Sequence, residues 1–102
     1  MIIVQGVFTV APEDRDRYLA QSLETQRISR GEPGCIEYVL AADPVDSERV
    51  VLSERWATRA DLDAHLAALR ERRSSAADGG EPPVELISRE VAFFEADAFE
   101  LG

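Results

Sequence analysis

The sequence contains one cysteine, one histidine and one tryptophan among its 102 residues. With Cys35 alone, the chain can form no internal disulfide and can supply no thiolate cluster for zinc, and we expect this thiol to be buried and inert. With His65 alone, it has no two-histidine metal site. A chain without disulfides fits a reducing compartment, and a cytoplasmic location is therefore expected.

Long apolar runs and an excess of basic residues are also absent. No run approaches the roughly 18 apolar residues that span a bilayer, and no basic segment precedes an apolar stretch at the start. Neither a membrane span nor a signal peptide is predicted. The 20 acidic residues exceed the 11 basic ones, and the net charge of -9 argues against binding to nucleic acid or to an anionic membrane surface.

The chain has the length and apolar content of a single domain. Apolar residues are 45% and charged residues 30% of the sequence, so a core can form under a soluble surface. We predict one domain over residues 1–102. A chain of this size buries only about two-thirds of the surface that its unfolded form exposes, so self-association would add stability.

Hydrophobic patterning predicts six elements in the order β-α-β-β-α-β. β-branched and aromatic residues cluster in the strands, and apolar residues recur at helical spacing in the helices. Residues 73–83 are predicted to be a flexible loop, and residues 96–102 an acidic tail. The predicted strands are 2–10, 35–42, 49–57 and 84–95, and the predicted helices are 12–30 and 58–72.

This order is typical of the ferredoxin-like α+β fold, an antiparallel sheet with both helices on one face. In the first strand both alternating sets of side chains are largely apolar, which indicates a strand that is covered on both faces. One layer of helices covers only one face. A symmetric homodimer that packs sheet on sheet would cover the other, and we predict that dimer.

Four residues could share a pocket between helices and sheet. Glu54 and Trp56 are two apart on the third strand and therefore share a face. Tyr38 is a possible neighbour on the second strand, and His65 falls on the apolar stripe of the second helix. A glutamate on a strand covered on both faces must be paired, hydrogen-bonded or protonated.

Two interpretations of these residues stay open. In the first, they line a pocket in which His65 is a base and Trp56 a wall. In the second, Trp56 and His65 are core residues, and Glu54 pairs with Arg55 or Arg89 across strands or between subunits.

The same residues occur in an order that resembles a known family. The sequence reads E-P-G-C at 32–35, then has Tyr38, then reads E-R-W at 54–56, with His65 nine residues after Trp56. This resembles the quinol-monooxygenase-like members of the antibiotic biosynthesis monooxygenase family, which show E-P-G-C-x-x-Y followed by E-x-W-x8-H. The resemblance covers about residues 1–95 and implies a small dimeric α+β barrel.

The resemblance implies a cofactor-independent monooxygenase that oxidises an aromatic quinol or polyphenol, such as a polyketide-type compound, with O2. Deprotonation of such a substrate makes an anion that can give an electron to oxygen directly. The pocket then needs to exclude water, hold the anion and offer a base, with no metal or other cofactor. The predicted catalytic residues are His65 and Trp56, and the predicted substrate-binding residues are Tyr38, Glu54, Gln26, Ser22 and Arg89.

Departures from the family pattern keep other functions open. Anthrone oxygenases of the family carry an Asn four positions before the Trp, where this chain has Leu52, so a polar contact to a substrate carbonyl is missing. Haem-degrading members carry an Asn in the first strand, where this chain has Val7 or Gly6, and a later His that this chain lacks. Haem binding is therefore not expected. The alternatives are a dimeric small-molecule-binding module without redox chemistry, and an isomerase or cyclase that uses the same pocket.

Overall fold

The computed structural model of the chain describes residues 1–74 and 81–100. Within these residues, four strands and two long helices follow one another in the predicted order, and a short 3-10 turn at Pro12–Asp14 precedes the first helix. The ferredoxin-like α+β fold is confirmed. The elements are β1 (Ile2–Thr9), α1 (Arg15–Arg30), β2 (Cys35–Ala42), β3 (Arg49–Trp56), α2 (Arg59–Ser74) and β4 (Ser88–Glu95).

The four strands form one antiparallel sheet in the order β2-β3-β1-β4. In the centre of the sheet, Val4 of β1 lies opposite Glu54 of β3, and Phe8 of β1 lies opposite Arg89 of β4. On the other side of β3, Tyr38 of β2 lies opposite Glu54, which confirms that the two are cross-strand neighbours.

The hydrophobic core lies between the sheet and the two helices. Every second residue of β1 points into it, and Ile2, Val4 and Phe8 are buried there. The alternate set, which includes Ile3 and Val7, is only half-buried on the opposite face of the sheet. The described residues of this chain thus cover one face of the sheet with helices and leave the other face without a covering layer.

The fourth strand begins at Ser88, four residues later than predicted. The segment before it is bound to α1, because the Gln21 side chain donates to Pro82 O (3.1 Å) and accepts from Val84 N–H (3.0 Å). Pro82 and Pro83 also lack the N–H groups that a strand ladder needs. The segment is therefore bound to a helix side chain at its start and reaches the sheet at Ile87, whose N–H donates to Thr9 O (2.7 Å).

The other differences concern element ends. α2 continues to Ser74, so residues 73 and 74 of the predicted loop are helical, and residues 75–80 lie outside the described residues. Of the predicted tail, residues 96–100 have no regular structure, and residues 101–102 lie outside the described residues.

α2 begins at a side-chain cap that also sets the position of His65. Asp61 N–H donates to Thr58 Oγ1 (3.1 Å), and the Thr58 hydroxyl donates to Asp61 Oδ2 (2.9 Å). This cap satisfies one of the unpaired amides of the first turn, and His65 follows Asp61 one turn later. No helix among the described residues has both the length and the apolar character needed to cross a membrane.

Candidate active site

A cavity of about 710 Å³ lies between the two helices and the inner face of the sheet. This volume is in the range of pockets that hold small molecules. The sheet contributes Val4, Phe8, Leu52 and Glu54 to its floor, and α1 and α2 form its walls. The structure therefore has a small-molecule-sized space where the sequence predicts a pocket.

His65 lies at this cavity between two carboxylates. Its side chain is 1% exposed, its Nδ1 is 2.6 Å from Glu32 Oε1, and its Nε2 is 3.7 Å from Glu54 Oε1. A carboxylate oxygen can only accept a hydrogen bond, so Nδ1 carries a proton and donates it to Glu32. In the neutral ring, Nε2 is then the proton acceptor.

Glu32 reaches His65 because the turn that carries it is fastened to the start of α2. Gly34 O accepts a hydrogen bond from Ala57 N–H (2.8 Å), just before α2 begins. Gly34 has a φ of 78°, and a Cβ on this residue would overlap the Asp61 side chain. Only glycine therefore allows this close approach, which brings Glu32 beside the second turn of α2.

The sequence did not predict the partnership of Glu32 with His65. Glu32 entered only as part of the E-P-G-C motif, and 33 residues separate it from His65. Nothing in that spacing shows that the turn after α1 meets α2. The one usable signal was the pair of glycines around Glu32, which marks a tight turn but not its neighbour.

Trp56 supports the site from behind the cavity. It is 0% exposed and does not line the cavity. Its ring lies 4.6 Å from the His65 ring, centroid to centroid, at an angle of 31°. Its indole Nε1–H donates to Glu54 Oε1 (2.9 Å). The residue predicted as a pocket wall thus contacts the two titratable groups that do line the cavity.

Glu54 does not pair with either of the arginines considered for it. Its partners are the indole and the imidazole described above. Arg55 is the next residue on β3 and therefore points to the opposite face, where its Nε donates to Glu37 (3.0 Å). Arg89 lies opposite Phe8 of β1, whereas Glu54 lies opposite Val4, four residues away on the same strand. Within one chain, the interpretation of an ion pair across strands between Glu54 and Arg55 or Arg89 is therefore wrong.

Burial governs the titration of the two acidic groups that face each other across β2 and β3. It raises the pKa of Glu54, while the indole hydrogen bond and nearby His65 act in the opposite direction. Burial, with the nearby Glu54 carboxylate, raises the pKa of Tyr38 to about 12. The Tyr38 ring meets His65 edge-on at 5.4 Å. Tyr38 is therefore protonated at neutral pH.

Cys35 is half-buried and was predicted to be buried and inert. Desolvation raises the pKa of its thiol, and the carboxylates of Glu54 and Glu32 add to this effect. A raised pKa keeps the thiol protonated and poorly nucleophilic.

The two predicted substrate-binding residues of α1 have different positions. Ser22 lines the cavity, with its hydroxyl donating to Leu19 O (2.7 Å). Gln26 is outside the cavity lining, and its amide bonds to both backbone groups of Leu40, accepting from N–H at 3.2 Å and donating to O at 3.4 Å. It also donates to Ser22 Oγ (3.0 Å). Gln26 therefore provides hydrogen-bond partners for backbone groups of β2, which is an edge strand of the sheet.

Arg89 lines the cavity at the end away from His65. Its guanidinium carbon lies 5.7 Å from the centre of the Phe8 ring. Arg72 and Arg73, from the last turn of α2, line the same cavity. Burial raises the pKa of the nearby Tyr18, and the charges of Arg89 and Arg73 oppose that shift. One end of the cavity is thus acidic and the other basic.

Residues 1–73 match the family model described as antibiotic biosynthesis monooxygenase. The chain belongs to this family. A protein of Synechocystis sp., the uncharacterized protein sll1783, is 36% identical over 65 residues, which are 64% of this chain and 44% of that protein. This chain therefore matches less than half the length of that relative. Family membership is in keeping with a monooxygenase-like role.

Solved structures share the fold of this antibiotic biosynthesis monooxygenase family member over its whole length. A candidate antibiotic biosynthesis monooxygenase of Deinococcus radiodurans superposes with a TM-score of 0.77 at 17% identity, covering 100% of this chain and 99% of its own. The heme-degrader MhuD of Mycobacterium tuberculosis superposes with a TM-score of 0.72 at 14% identity, covering 100% of both chains. These likenesses show the fold.

MhuD was solved with two hemes in its active site, and the residues of this chain do not fit that group. Its histidine has a carboxylate at each ring nitrogen, at 2.6 Å and 3.7 Å. The ring is also 1% exposed. Nδ1 is bound to Glu32, and the deep burial of the ring leaves no room at Nε2 for iron at the centre of a porphyrin.

Proposed function

We propose that this family member is a cofactor-independent monooxygenase that oxidises an aromatic quinol or polyphenol with O2. The observation that carries the proposal is the Glu32–His65 pair, 2.6 Å apart, at a cavity of about 710 Å³ with a largely apolar floor. Such a pair is a positioned base of the kind that deprotonates a phenol. The family's monooxygenase character supplies the class of reaction.

The proposed proton transfer begins with a substrate hydroxyl at His65 Nε2. Because Nδ1 donates to Glu32, the neutral ring accepts the substrate proton at Nε2. The imidazolium that forms then lies between the Glu32 and Glu54 carboxylates, which attract its positive charge. Tyr38 stays protonated at neutral pH and can donate a hydrogen bond to the phenolate.

The proposed oxidation needs no external reductant. The quinol anion gives an electron to O2, a C–O bond forms at a ring carbon, the C–H bond there is lost and the O–O bond breaks. One oxygen atom stays on the ring and the other leaves as water, so that a quinol and O2 become a hydroxyquinone and water. The quinol supplies all four electrons.

Oxygen uptake by chelator-treated protein, with a panel of hydroquinones and anthrones, tests this proposal. We expect His65→Ala to lower kcat by about 100-fold or more, the range for loss of a general base. Glu32→Gln should lower kcat by about 10- to 100-fold with little change in KM, because Glu32 positions His65 without contacting substrate.

Glu48→Gln is the matched control for Glu32→Gln, since Glu48 is exposed in the β2–β3 turn. Its turnover should equal that of the unmodified protein. Unchanged turnover in His65→Ala would remove His65 as the base. No uptake above autoxidation with any substrate would reject the oxygenase.

An isomerase or cyclase is the second candidate, and it is favoured by the protonated Tyr38 beside His65. A base and a neutral donor at one cavity are what enolisation requires, and oxygen is not. Turnover under nitrogen would support this candidate and contradict the first.

A further inference from the structure

Three arginines gather at the end of the cavity that the proposed chemistry does not use. Arg72, Arg73 and Arg89 all line it. Within residues 1–74 and 81–100, none of them forms an ion pair with an acidic side chain. The Nη2 atom of Arg72 is buried and has no hydrogen-bond partner in the same described residues.

The fold does not account for this cluster. Basic residues in the last turn of a helix interact well with its negative end, which explains a charge at Arg72 or Arg73. This interaction does not explain why Arg72 Nη2 is buried without an acceptor. A buried donor without a hydrogen-bond partner lowers the stability of the fold, so its presence needs another reason. Acidic side chains are abundant in this chain of net charge -9. They pair instead with other arginines, as Asp43 does with Arg49 and Glu37 with Arg55.

Arg89 lies at a definite distance along the sheet from the proposed base. Val4 is opposite Glu54, and Phe8 is opposite Arg89, so four residues of β1 separate the two ends. Four residues of strand span about 13 Å. Between the ends, the floor and the α2 wall present apolar side chains such as Leu52, Val91 and Leu66, whereas the α1 wall is mostly polar and includes Glu24.

We propose that the arginine end of this cavity binds an anionic group, a carboxylate in the simplest case, of an aromatic substrate whose reacting hydroxyl faces His65. Guanidinium groups suit carboxylates because they offer several donors in a fixed plane. An apolar ring system fills the middle of the cavity. The position of the reacting hydroxyl rests on the proposed function, whereas the anion site does not.

Binding of 6-hydroxy-2-naphthoic acid and of 2-naphthol, measured by calorimetry without oxygen, tests the anion site. The two probes share a ring system and a hydroxyl and differ in the carboxylate. We expect the acid to bind at least tenfold more tightly at pH 7, with an advantage that shrinks as salt is added. Arg72→Gln and Arg89→Gln should each weaken acid binding about tenfold and leave naphthol binding within twofold.

Arg70→Gln is the matched control, because Arg70 is exposed on α2 and does not line the cavity. Arg89 is also exposed, so its variant keeps the test valid if Arg72→Gln fails to fold. Equal affinities for acid and naphthol, no binding of the acid, or an equal loss of affinity in Arg70→Gln would overturn the proposal.

The anion site and the oxygenase can fail separately. A preference for the acid with no oxygen uptake from any quinol would uphold the site and reject the oxygenase. Oxygen uptake from neutral quinols, without any preference for the acid in binding, would support the oxygenase and reject the anion site.

Discussion

His65 has a partner on each side of its ring. Glu32 accepts from Nδ1, the Trp56 ring lies against one face, and the Tyr38 ring meets it edge-on. These contacts fix the ring orientation and the position of its proton. A histidine held in this way is ready to accept a proton at Nε2 without rearrangement, which is what a general base needs.

Glu54 should make stability depend on pH. Burial raises the pKa of this carboxyl, so the folded protein binds its proton more tightly than the unfolded chain does. Below about pH 4.3, the ordinary pKa of glutamate, Glu54 is protonated in both the folded and the unfolded state and does not change the stability. As the pH rises from there through the raised pKa of the folded state, the stability falls. Glu54→Gln should therefore raise the melting temperature at pH 7, and the gain should disappear near pH 3.5.

Thermal unfolding followed by circular dichroism at the two pH values measures this effect. Gln keeps an oxygen that can accept from the Trp56 indole, so the substitution removes the charge and retains the hydrogen bond. Exposed Glu48→Gln should leave the melting temperature within about 1 °C at both pH values. A lower melting temperature for Glu54→Gln at pH 7 would contradict the prediction.

Local periodicity predicted part of the site and tertiary contacts decided the rest. Helical spacing identified His65 as inward-facing, and strand alternation placed Glu54 and Trp56 on one face, with Tyr38 as a possible neighbour on the next strand. Glu32 could not be found in this way, because it joins the site from a turn 33 residues before His65. Arg72 lies seven residues after His65 on α2, at helical spacing, and was missed because a charged residue was not expected to line the cavity. Gln26 shares a helix face with cavity-lining Ser22, yet its amide bonds to Leu40, whose outward backbone groups have no further strand to pair with.

Among the elements, the turn between α1 and β2 determines whether the base has its partner. This turn begins at Gly31, carries Glu32 and is fastened to the start of α2 through the Gly34 carbonyl. The sequence predicted the turn and the helix separately. Their contact depends on a glycine in the left-handed region, where a side chain would meet Asp61.

Gly34→Ala should damage both stability and activity. A non-glycine residue at a φ of 78° costs about 1–2 kcal/mol, and the added Cβ would push the turn away from α2. We expect a fall in melting temperature of about 5–15 °C. If the oxygenase proposal holds, kcat should fall about as far as in Glu32→Gln, because Glu32 leaves His65.

Gly31→Ala provides the comparison within the same turn. Gly31 has a φ of -91°, and a Cβ there would meet only Ile28 O at an ordinary 3.5 Å. Its melting temperature should change by no more than about 3 °C. Equal effects of the two substitutions on melting temperature would show that the left-handed backbone and the contact with α2 do not matter.

At the scale of the whole molecule, the helix-free face of the sheet carries apolar side chains that no described part of the chain covers. Ile3 and Val7 of β1 are half-buried there, with Val51 opposite Val7 and Phe94 opposite Ile3. Val51 is 38% exposed and Phe94 49% exposed. The sequence predicted this face from the two apolar sets of β1, and the described residues of one chain leave it uncovered.

We predict that a second copy of the chain covers this face, since a symmetric pair of sheets would bury the same apolar set from both copies. Sedimentation of the purified protein at about 10 micromolar should give the dimer mass. Val51→Glu should shift it to the monomer, because the charge would be buried between the sheets. Val45→Glu makes the same substitution at a loop residue that is 94% exposed, and should stay dimeric. A monomeric unmodified protein, or a dimer that persists in Val51→Glu, would show that this face serves another purpose.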